Sequence, residues 1–216
     1  NKCIKSKGIK NMQIDKCAEF IIRELNNHGY KAYLVGGCVR DSLIGRPIND
    51  WDICTSALPE TVYEIFGDLG LTVIDTGIKY GTVSVLMSPC DIDLINQTDT
   101  KYYLSQMEVQ IYEVTTFRKE SGSRKMDEVE FTDSIELDLK RRDFTINALA
   151  YHPDEGIIDI VDGLKDIKDK IIRCIKEPEV RFTEDYLRIL RAIRFESQLG
   201  FKIEENTLYW VKELAK

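Results

Sequence analysis

Histidine is scarce in this sequence, and its cysteines follow no recognisable pattern. There are only two histidines, His28 and His152, so imidazole-based metal sites and catalytic triads are not expected. The six cysteines form neither Cys-x-x-Cys pairs nor an even spacing. We therefore predict neither a disulfide framework nor a zinc site.

Long hydrophobic runs are also missing. No apolar stretch approaches the roughly 18 residues that a membrane-spanning helix requires. The N-terminal segment NKCIKSKGIK contains no hydrophobic signal core. We therefore expect a cytoplasmic protein with no membrane partner.

Positive charge is in the minority, with 30 Lys and Arg against 37 Asp and Glu and a formal net charge of −7. This balance argues against indiscriminate nucleic-acid binding but leaves room for local basic surfaces. Basic runs occur at residues 119–125, 140–142 and 181–194, for which a solvated, salt-bridged surface is the alternative explanation. With 216 residues, 43% of them hydrophobic, the chain is long enough to bury a core in one or two small domains.

The most informative stretch is LVGGCVRDSLIGRPINDWDICT, residues 34–55. It contains two aspartates one residue apart, Asp50 and Asp52, in a segment predicted to be extended. Side chains alternate along a strand, so both carboxylates should point the same way, roughly 7 Å apart. That spacing would let them share two hard divalent cations, which lie about 3.5–4 Å apart in two-metal phosphoryl-transfer sites.

A glycine pair precedes these carboxylates. Gly36 and Gly37 follow the predicted strand at residues 32–35 and begin a short helical stretch that carries Arg40 and Asp41. Because glycine has no Cβ atom, backbone N–H groups and the helix N-terminus could approach a polyphosphate closely. Alone, the glycines could form a simple turn and the aspartates a solvated strand end. Their combination favours a phosphate and metal site.

Two other carboxylate patterns bear on the metal site. Alternation predicts a strand at residues 109–117 that carries Glu113 on an apolar face, and a burying strand rarely leaves a glutamate unpaired. We therefore assign Glu113 to the metal site. The rival ligands are Asp91 and Asp93, in a polar segment at residues 88–107 that we interpret as a surface insertion. That pair lacks an upstream glycine pair.

Two helical segments in the second half of the chain carry further candidate residues, and the composition turns helical after Pro178. Asp143 and Asn147 are four residues apart and should lie on one face of a helix that begins near Asp143. A longer helix is predicted from an N-cap at Thr183 to a C-cap at Gly200. Its expected buried residues are Tyr186, Leu187, Leu190 and Ile193. Its adjoining polar face carries Asp185, Arg188, Arg191 and Arg194, for which an exposed, salt-bridged surface is the alternative.

Four motifs in this order, GGCVRD, DWD, RRDFTINALA and EDYLRILRAIRF, resemble a known family. The chain is similar to the class II tRNA nucleotidyltransferases (CCA-adding enzymes) and bacterial poly(A) polymerases, of the DNA polymerase β nucleotidyltransferase superfamily. The resemblance covers about residues 15–214. It implies an α+β fold, with a small mixed β-sheet flanked by helices and then an all-helical neck. We expect the catalytic head at residues 1–150, and the end of the head and the start of the neck at residues 151–216.

The resemblance also implies roles for individual residues. Asp50 and Asp52 would bind two Mg²⁺ ions, with Glu113 as a third catalytic carboxylate. The residues that would line the triphosphate are Gly36, Gly37, Arg40 and Asp41. Those that would contact the ribose and phosphates are Arg142, Asp143 and Asn147. Those that would bind the base or support the nucleotide are Asp185, Arg188, Arg191 and Arg194, with Glu184 in the same motif.

The implied function is Mg²⁺-dependent addition of C and/or A residues to the tRNA 3′ end from CTP and ATP. A poly(A) polymerase of the same family is the nearest alternative. The segment at residues 119–130 is a few residues short for the family, and such shortening is associated with adding C but not A, so CC-adding and A-adding enzymes stay open. A catalytically silent RNA-binding domain is a further alternative. The body and tail that would grip tRNA in this family lie beyond the sequence.

Overall fold

The computed structural model describes residues 4–6, 12–96, 108–120 and 129–215. The helices in these ranges are α1 (Lys16–Asn27), α2 (Gly37–Leu43), α3 (Pro59–Asp68), α4 (Pro89–Ile95), α5 (Ile135–Lys140), α6 (Gly163–Asp169), α7 (Pro178–Glu184), α8 (Leu187–Leu199) and α9 (Glu205–Leu214). The strands are β1 (Ile4–Ser6), β2 (Ala32–Val35), β3 (Asp52–Thr55), β4 (Thr72–Gly77), β5 (Thr82–Met87), β6 (Gln110–Thr116), β7 (Arg118–Lys119), β8 (Glu130–Phe131), β9 (Leu149–His152), β10 (Gly156–Asp159), β11 (Ile171–Ile172) and β12 (Lys202–Ile203).

Eight of these strands form one sheet in the order β1-β10-β9-β2-β3-β6-β5-β4. The pairing of β3 with β6 is parallel and the other pairings within this sheet are antiparallel, so the sheet is mixed. Helices pack against the sheet, and helices dominate the chain after it. The predicted α+β fold class is confirmed.

Local sequence explains the helix that opens the main core. The Asp15 carboxylate accepts hydrogen bonds from the backbone N–H groups of Cys17 and Ala18, at 2.9 and 3.0 Å, and so caps α1. The apolar residues recur at helical spacing, and this places Ile21 and Leu25 in the core.

The polar segment at residues 88–107 contains structure that the sequence analysis did not predict. Its first part forms α4, and the Asp91 carboxylate accepts hydrogen bonds from the backbone N–H and the hydroxyl of Ser88, at 2.6 and 2.8 Å. Asp91 therefore serves the start of this helix. Residues 97–107 lie outside the described residues, as do residues 121–128 of the shortened segment.

A helix that begins near Asp143 was a wrong prediction. Helix α5 ends at Lys140, Asp143 lies in the following turn, and residues 145–147 form a single 3₁₀ turn. The predicted pair still meets, because the Asn147 side-chain amide donates to the Asp143 carboxylate at 3.2 Å. The turn produces the contact that we had assigned to a helical repeat.

The long C-terminal helix is divided into α7 and α8. Asp185 is extended between them, with φ −153° and ψ 102°, and the Thr183 hydroxyl donates to the carbonyls of Glu179 and Val180 instead of capping a helix start. The predicted C-cap at Gly200 is correct and has the left-handed φ of 66° that favours glycine.

The predicted buried face of this helix was also wrong. Tyr186, Leu187, Leu190 and Ile193 are exposed by 58, 64, 63 and 46%. Instead, the residues of α8 that enter a second hydrophobic cluster are Ile189, Ala192 and Phe195. The apolar residues of α8 lie on more than one face of the helix, with arginines between them. Only the tertiary packing shows which face is buried.

The expected domain boundary at residue 150 falls inside β9, and β10 still belongs to the large sheet. The second hydrophobic cluster joins Phe144 and Phe182 to residues of α8 and α9. Residues 151–216 were expected to contain the end of the head, so the position of β10 agrees with that expectation, and the division into a head and a neck stays a prediction. No helix in the described part of the chain is long and apolar enough to cross a membrane.

Candidate functional site

A cavity of about 780 Å³ lies between the sheet and α8. All the predicted site residues except Glu113 and Glu184 line it, namely Gly36, Gly37, Arg40, Asp41, Asp50, Asp52, Arg142, Asp143, Asn147, Asp185, Arg188, Arg191 and Arg194. Additional lining residues that carry charge or an aromatic ring are Arg118, Arg141 and Phe195. Although the chain is acidic, the described lining contains seven arginines and five aspartates. Such a cavity suits an anionic ligand.

The acidic corner of the pocket depends on the parallel pairing of β3 with β6. Asp52 is the first residue of β3 and lies directly beside Glu113 in the strand register. Burial raises the pKa of the Asp52 carboxyl, the neighbouring Glu113 and Asp50 raise it further, and Arg142 opposes them. This corner therefore has negative charge that Arg142 does not fully balance.

The positions of Asp50 and Glu113 differ from the predictions. Asp50 lies in the segment before β3 and is exposed, so the two aspartates do not alternate along one strand. Glu113 is exposed and lies outside the cavity lining, and its neighbours Val109 and Ile111 are 61 and 60% exposed. The face of β6 that carries Glu113 is therefore not the burying face that we expected.

The carboxylates fit a metal ion by their chemistry. Hard divalent cations prefer carboxylate oxygens, and a cation here would offset both the burial and the repulsion from Glu113 and Asp50 that raise the pKa of Asp52. Within the described ranges, no group of three or more acidic, histidine or cysteine side chains is close enough together to hold a metal ion. The residues that could contribute ligands are Asp50 and Asp52, with Glu113 beside Asp52.

Gly36 is required by the close approach of two side chains. Its φ of 76° and ψ of −129° lie in a region open almost only to glycine. A Cβ atom at this position would lie 3.1 Å from Arg142 Nη1 and 3.9 Å from Asp52 Oδ2. The absence of a Cβ atom at Gly36 therefore allows the side chains of Arg142 and Asp52 to approach the same point of the backbone.

A chain of hydrogen bonds connects several predicted residues. The Arg40 guanidinium donates to both oxygens of Asp41 at 2.9 Å and to Asn147 Oδ1 at 2.5 Å. Asn147 donates in turn to Asp143 Oδ1, and Asp143 Oδ2 accepts from Arg191 Nε at 2.6 Å. Three separate segments are thereby joined at the pocket, namely α2, the 143–147 turn and α8.

Phe195 was not predicted as a site residue. The guanidinium carbons of Arg40, Arg191 and Arg194 lie 5.2, 5.4 and 5.0 Å from its ring centroid. The face of an aromatic ring attracts cations at this range. Phe195 therefore helps to gather three arginines at one side of the pocket. The motif RILRAIRF contains this residue, but its role depends on tertiary contacts.

Asp138 was also missed. Its side chain is 0% exposed, and its two oxygens accept hydrogen bonds from Arg141 and Arg142. Burial raises the pKa of the Asp138 carboxyl, but Arg142 and Arg141 outweigh that effect, so the pKa lies below its ordinary value. Asp138 precedes the two arginines by three and four residues, the spacing of side-chain pairs on a helix, and this signal could have revealed it.

The segment between α7 and α8 presents the last predicted pair. The Asp185 carboxylate accepts from the backbone N–H of Leu187 at 2.9 Å, and its other oxygen is 3.9 Å from Arg188 Nε. Arg188 Nη1 donates to Glu184 at 2.9 Å and to the Arg181 carbonyl at 2.8 Å. Asp185 and Arg188 therefore lie together at the pocket without a close ion pair between them.

Comparison with known proteins was consistent at the levels of family, sequence and structure. A family model of the poly A polymerase head domain matches residues 32–173. The CCA-adding enzyme of Enterococcus faecalis (strain ATCC 700802 / V583) is 48% identical over 196 residues, which cover 89% of this chain and 42% of that protein. The CCA-adding enzyme of Ligilactobacillus salivarius (strain UCC118) is 46% identical, with 89% and 43% covered. The chain thus spans less than half the length of these relatives.

Solved structures give the same picture. The crystal structure of the Bacillus stearothermophilus CCA-adding enzyme in complex with CTP matches with a TM-score of 0.71 and 46% identity, over 88% of this chain and 40% of that chain. A tRNA nucleotidyltransferase complexed with a primer tRNA and an incoming ATP analog matches with a TM-score of 0.67 and 30% identity, over 90% and 49%.

Proposed function

Because the chain belongs to the family of poly A polymerase head domains, we propose that its pocket binds a nucleoside triphosphate and that the protein transfers the nucleotide to the 3′ end of tRNA. The proposed reaction is addition of C and A residues from CTP and ATP. The observation that carries the proposal is the meeting of Asp52 and Arg142 at Gly36, inside a cavity lined by arginines. The relatives named CCA-adding enzymes support the substrate.

The acidic corner is the proposed metal site. Nucleotidyltransferases of this family generally use a divalent metal ion. We propose that the ion is Mg²⁺, that Asp50 and Asp52 hold it, and that Glu113 adds negative charge from the next strand. When bound, the metal lowers the pKa of the attacking 3′-hydroxyl and neutralises charge on the phosphates.

The arginines of the pocket are the proposed triphosphate ligands. Arg142 Nη1 lies over Gly36, next to Asp52, so it is well placed to contact a phosphate that also approaches the acidic corner. Fixed positive groups of this kind stabilise the charge that develops on the phosphoryl oxygens and leaving group. Catalysis then rests on positioning and electrostatics, without a covalent step on the protein.

Asp185 and Arg188 are the proposed readers of the base. Cytosine and adenine both present an amino donor next to a ring-nitrogen acceptor on their pairing edges, whereas uracil and guanine present the reverse order. A carboxylate only accepts hydrogen bonds and a guanidinium only donates them, so this pair complements C and A. The loose separation of 3.9 Å between the two side chains leaves room for a base to engage both.

A poly(A) polymerase is the second candidate, favoured by the name of the matching family model. It would use the same pocket, accept ATP and refuse CTP. A catalytically silent RNA-binding domain is disfavoured, because RNA binding alone does not require carboxylates beside a phosphate site. Since tRNA, CTP and ATP are available in the cytoplasm, we propose that the protein acts there.

The direct test is incubation of the protein and Mg²⁺ with tRNA that lacks its 3′ end and one labelled nucleotide at a time. We expect labelled CTP to be incorporated when it is added alone. Labelled ATP should be incorporated only after C residues have been added from unlabelled CTP, and UTP and GTP should not be incorporated. A long tract made from ATP alone would favour the poly(A) polymerase. No incorporation of any nucleotide, together with no nucleotide binding, would refute the proposed function.

A further inference from the structure

The buried carboxylate of Asp138 binds the same edge of two neighbouring arginines. Oδ1 accepts a hydrogen bond from Arg141 Nε at 2.9 Å, and Arg141 Nη2 lies within ion-pair distance of the same oxygen, also at 2.9 Å. Oδ2 accepts from Arg142 Nε at 3.3 Å and Nη2 at 3.0 Å. Each guanidinium is therefore held along its Nε and Nη2 edge, and the Nη1 group of Arg142 is left to extend over Gly36.

A third arginine of the pocket is connected to the same carboxylate. The backbone N–H of Arg118 donates to Asp138 Oδ1 at 3.1 Å, and Arg118, Arg141 and Arg142 all line the cavity. Three like charges at one wall repel each other, and long arginine side chains have many alternative rotamers. A buried anion beneath them offsets the repulsion and limits those rotamers, and no water competes with it.

We propose that Asp138 is a positioning residue that orients Arg141, Arg142 and the Arg118 backbone so that the wall of the pocket is ready to bind a triphosphate. This inference rests on the proposed function, because it assigns the arginines to the triphosphate. Asp138 itself lines no part of the cavity, so it acts on the ligand only through the arginines.

The sign of one substitution distinguishes positioning from simple electrostatics. Asp138→Asn removes a negative charge behind the arginines, so long-range electrostatics alone would strengthen the binding of an anion. If Asp138 positions the arginines, the variant should instead bind more weakly, because an amide nitrogen cannot accept from a guanidinium. We expect the affinity for inorganic tripolyphosphate and for CTP to fall by about tenfold or more, the loss of roughly one charge-assisted hydrogen bond.

Isothermal titration calorimetry with each ligand measures this directly, and Asp159→Asn is the matched control. Asp159 is also buried and accepts from the backbone N–H groups of Val161, Gly163 and Leu164, away from the pocket. This control should lower thermal stability and leave both affinities unchanged. Unchanged or tighter binding by Asp138→Asn would overturn the inference.

A measurement on the wild-type protein covers the case in which Asp138→Asn does not fold. The Nε–H protons of Arg141 and Arg142 should exchange slowly with water before any ligand is added, since a buried carboxylate holds them. Their NMR signals are assigned by their loss in Arg141→Lys and Arg142→Lys. Protection that arises only after tripolyphosphate is added would refute the inference. A wild-type protein that binds neither tripolyphosphate nor CTP would instead refute the proposed function.

Discussion

The two walls of the pocket hold their arginines in different ways. The sheet wall, formed by Arg118, Arg141 and Arg142, rests on Asp138, whose side chain is 0% exposed. The helix wall is formed by the arginines of α8, of which Arg191 pairs with the buried Asp143, whereas the carboxylate that pairs with the base-reading Arg188, Glu184, is 45% exposed. Buried counter-ions fix geometry, whereas exposed ion pairs are weak and easily rearranged.

This difference matches what each wall is proposed to bind. The triphosphate is the same in every nucleotide, so a rigid wall serves all of them. The base changes between a pyrimidine and a larger purine, so the side that reads it must adjust. Leu187 and Leu190 are more than half exposed, so their side chains are little restrained, although Ile189, Ala192 and Phe195 anchor α8 in the second hydrophobic cluster. We infer that specificity lies on the more adjustable wall.

The largest effect should come from the acidic corner, which serves both walls. Asp52→Ala should lower the transfer rate by at least about 10³-fold, because a bound metal supplies several kcal/mol of charge stabilisation in the transition state. The fold should persist, since the substitution removes a carboxylate whose pKa is raised by burial and by its neighbours. Single-turnover incorporation into tRNA measures the rate.

The second Asp-x-Asp pair provides the control for this substitution. Asp91 caps the start of α4, and neither Asp91 nor Asp93 lines the cavity. The double variant Asp91→Ala, Asp93→Ala should therefore keep nearly the wild-type rate. Loss of transfer in the double variant, with activity retained in Asp52→Ala, would mean that we have assigned the catalytic aspartates to the wrong pair.

The next effect belongs to the helix wall and concerns selectivity. Arg188→Ala should raise misincorporation from UTP and GTP relative to CTP by about ten- to a hundredfold, at roughly 1–3 kcal/mol of discrimination for each good base contact. Competition assays with paired labelled nucleotides measure the ratio. Arg173→Ala is the matched control, because Arg173 pairs with Asp166 and Glu204 outside the cavity. If Arg188→Ala keeps wild-type selectivity, the base-reading role is wrong.

A smaller effect should distinguish the cost of backbone strain at a glycine from the displacement of Arg142 by an added Cβ atom. Gly29→Ala and Gly36→Ala both place a side chain at positive φ, 85° and 76°, but a Cβ atom meets nothing within 4 Å at Gly29. Both should lose about 1–3 kcal/mol of stability from backbone strain, and Gly36→Ala should lose more, because its ψ of −129° lies outside the left-handed helical region. Only Gly36→Ala displaces Arg142, so it alone should also weaken CTP binding. Equal CTP affinities in the two variants would contradict the assigned position of Arg142.

The smallest effect is the pH dependence of stability that Asp52 causes. Its folded-state pKa is raised above 3.8, so it stabilises the fold below pH 3.8, and this contribution is lost as the pH rises through the folded-state pKa. Without divalent cations, Asp52→Asn should therefore gain stability relative to the wild type as the pH rises through that window. Urea denaturation of both proteins over a pH series measures the difference between their free energies of unfolding. If the assigned environment of Asp52 is wrong, this difference should not change with pH.

Ordered motifs allowed much of the fold and the site to be predicted. The glycine pair, Arg40 and Asp41 could be assigned because their spacing along one strand and helix is local. The parallel pairing that brings Glu113 to Asp52 was not local, and we assigned Glu113 to the site on the wrong premise that its face is buried. The position of Glu113 beside Asp52 agrees with the family pattern, and its catalytic role stays a prediction.

The errors come from contacts that periodicity does not show. Asp185 interrupts a helix that its neighbours favour, and its carboxylate accepts from the backbone N–H of Leu187 at the start of α8. Similarly, periodicity could not decide which face of α8 is buried, since its apolar residues cover more than one face. Asp138 was missed because an acidic residue in a charged run resembles solvated surface until its burial is known.

In the proposed division of roles, the pocket binds the triphosphate on a rigid wall and selects the base on an adjustable one. The direct test is calorimetric titration of the protein with CTP, ATP, UTP and GTP, each in the absence and in the presence of tripolyphosphate. All four nucleotides should compete with tripolyphosphate, and CTP and ATP should bind about tenfold or more tightly than UTP and GTP. Equal affinities for the four nucleotides would contradict base selection by the helix wall, and no competition by tripolyphosphate would contradict triphosphate binding by the other wall.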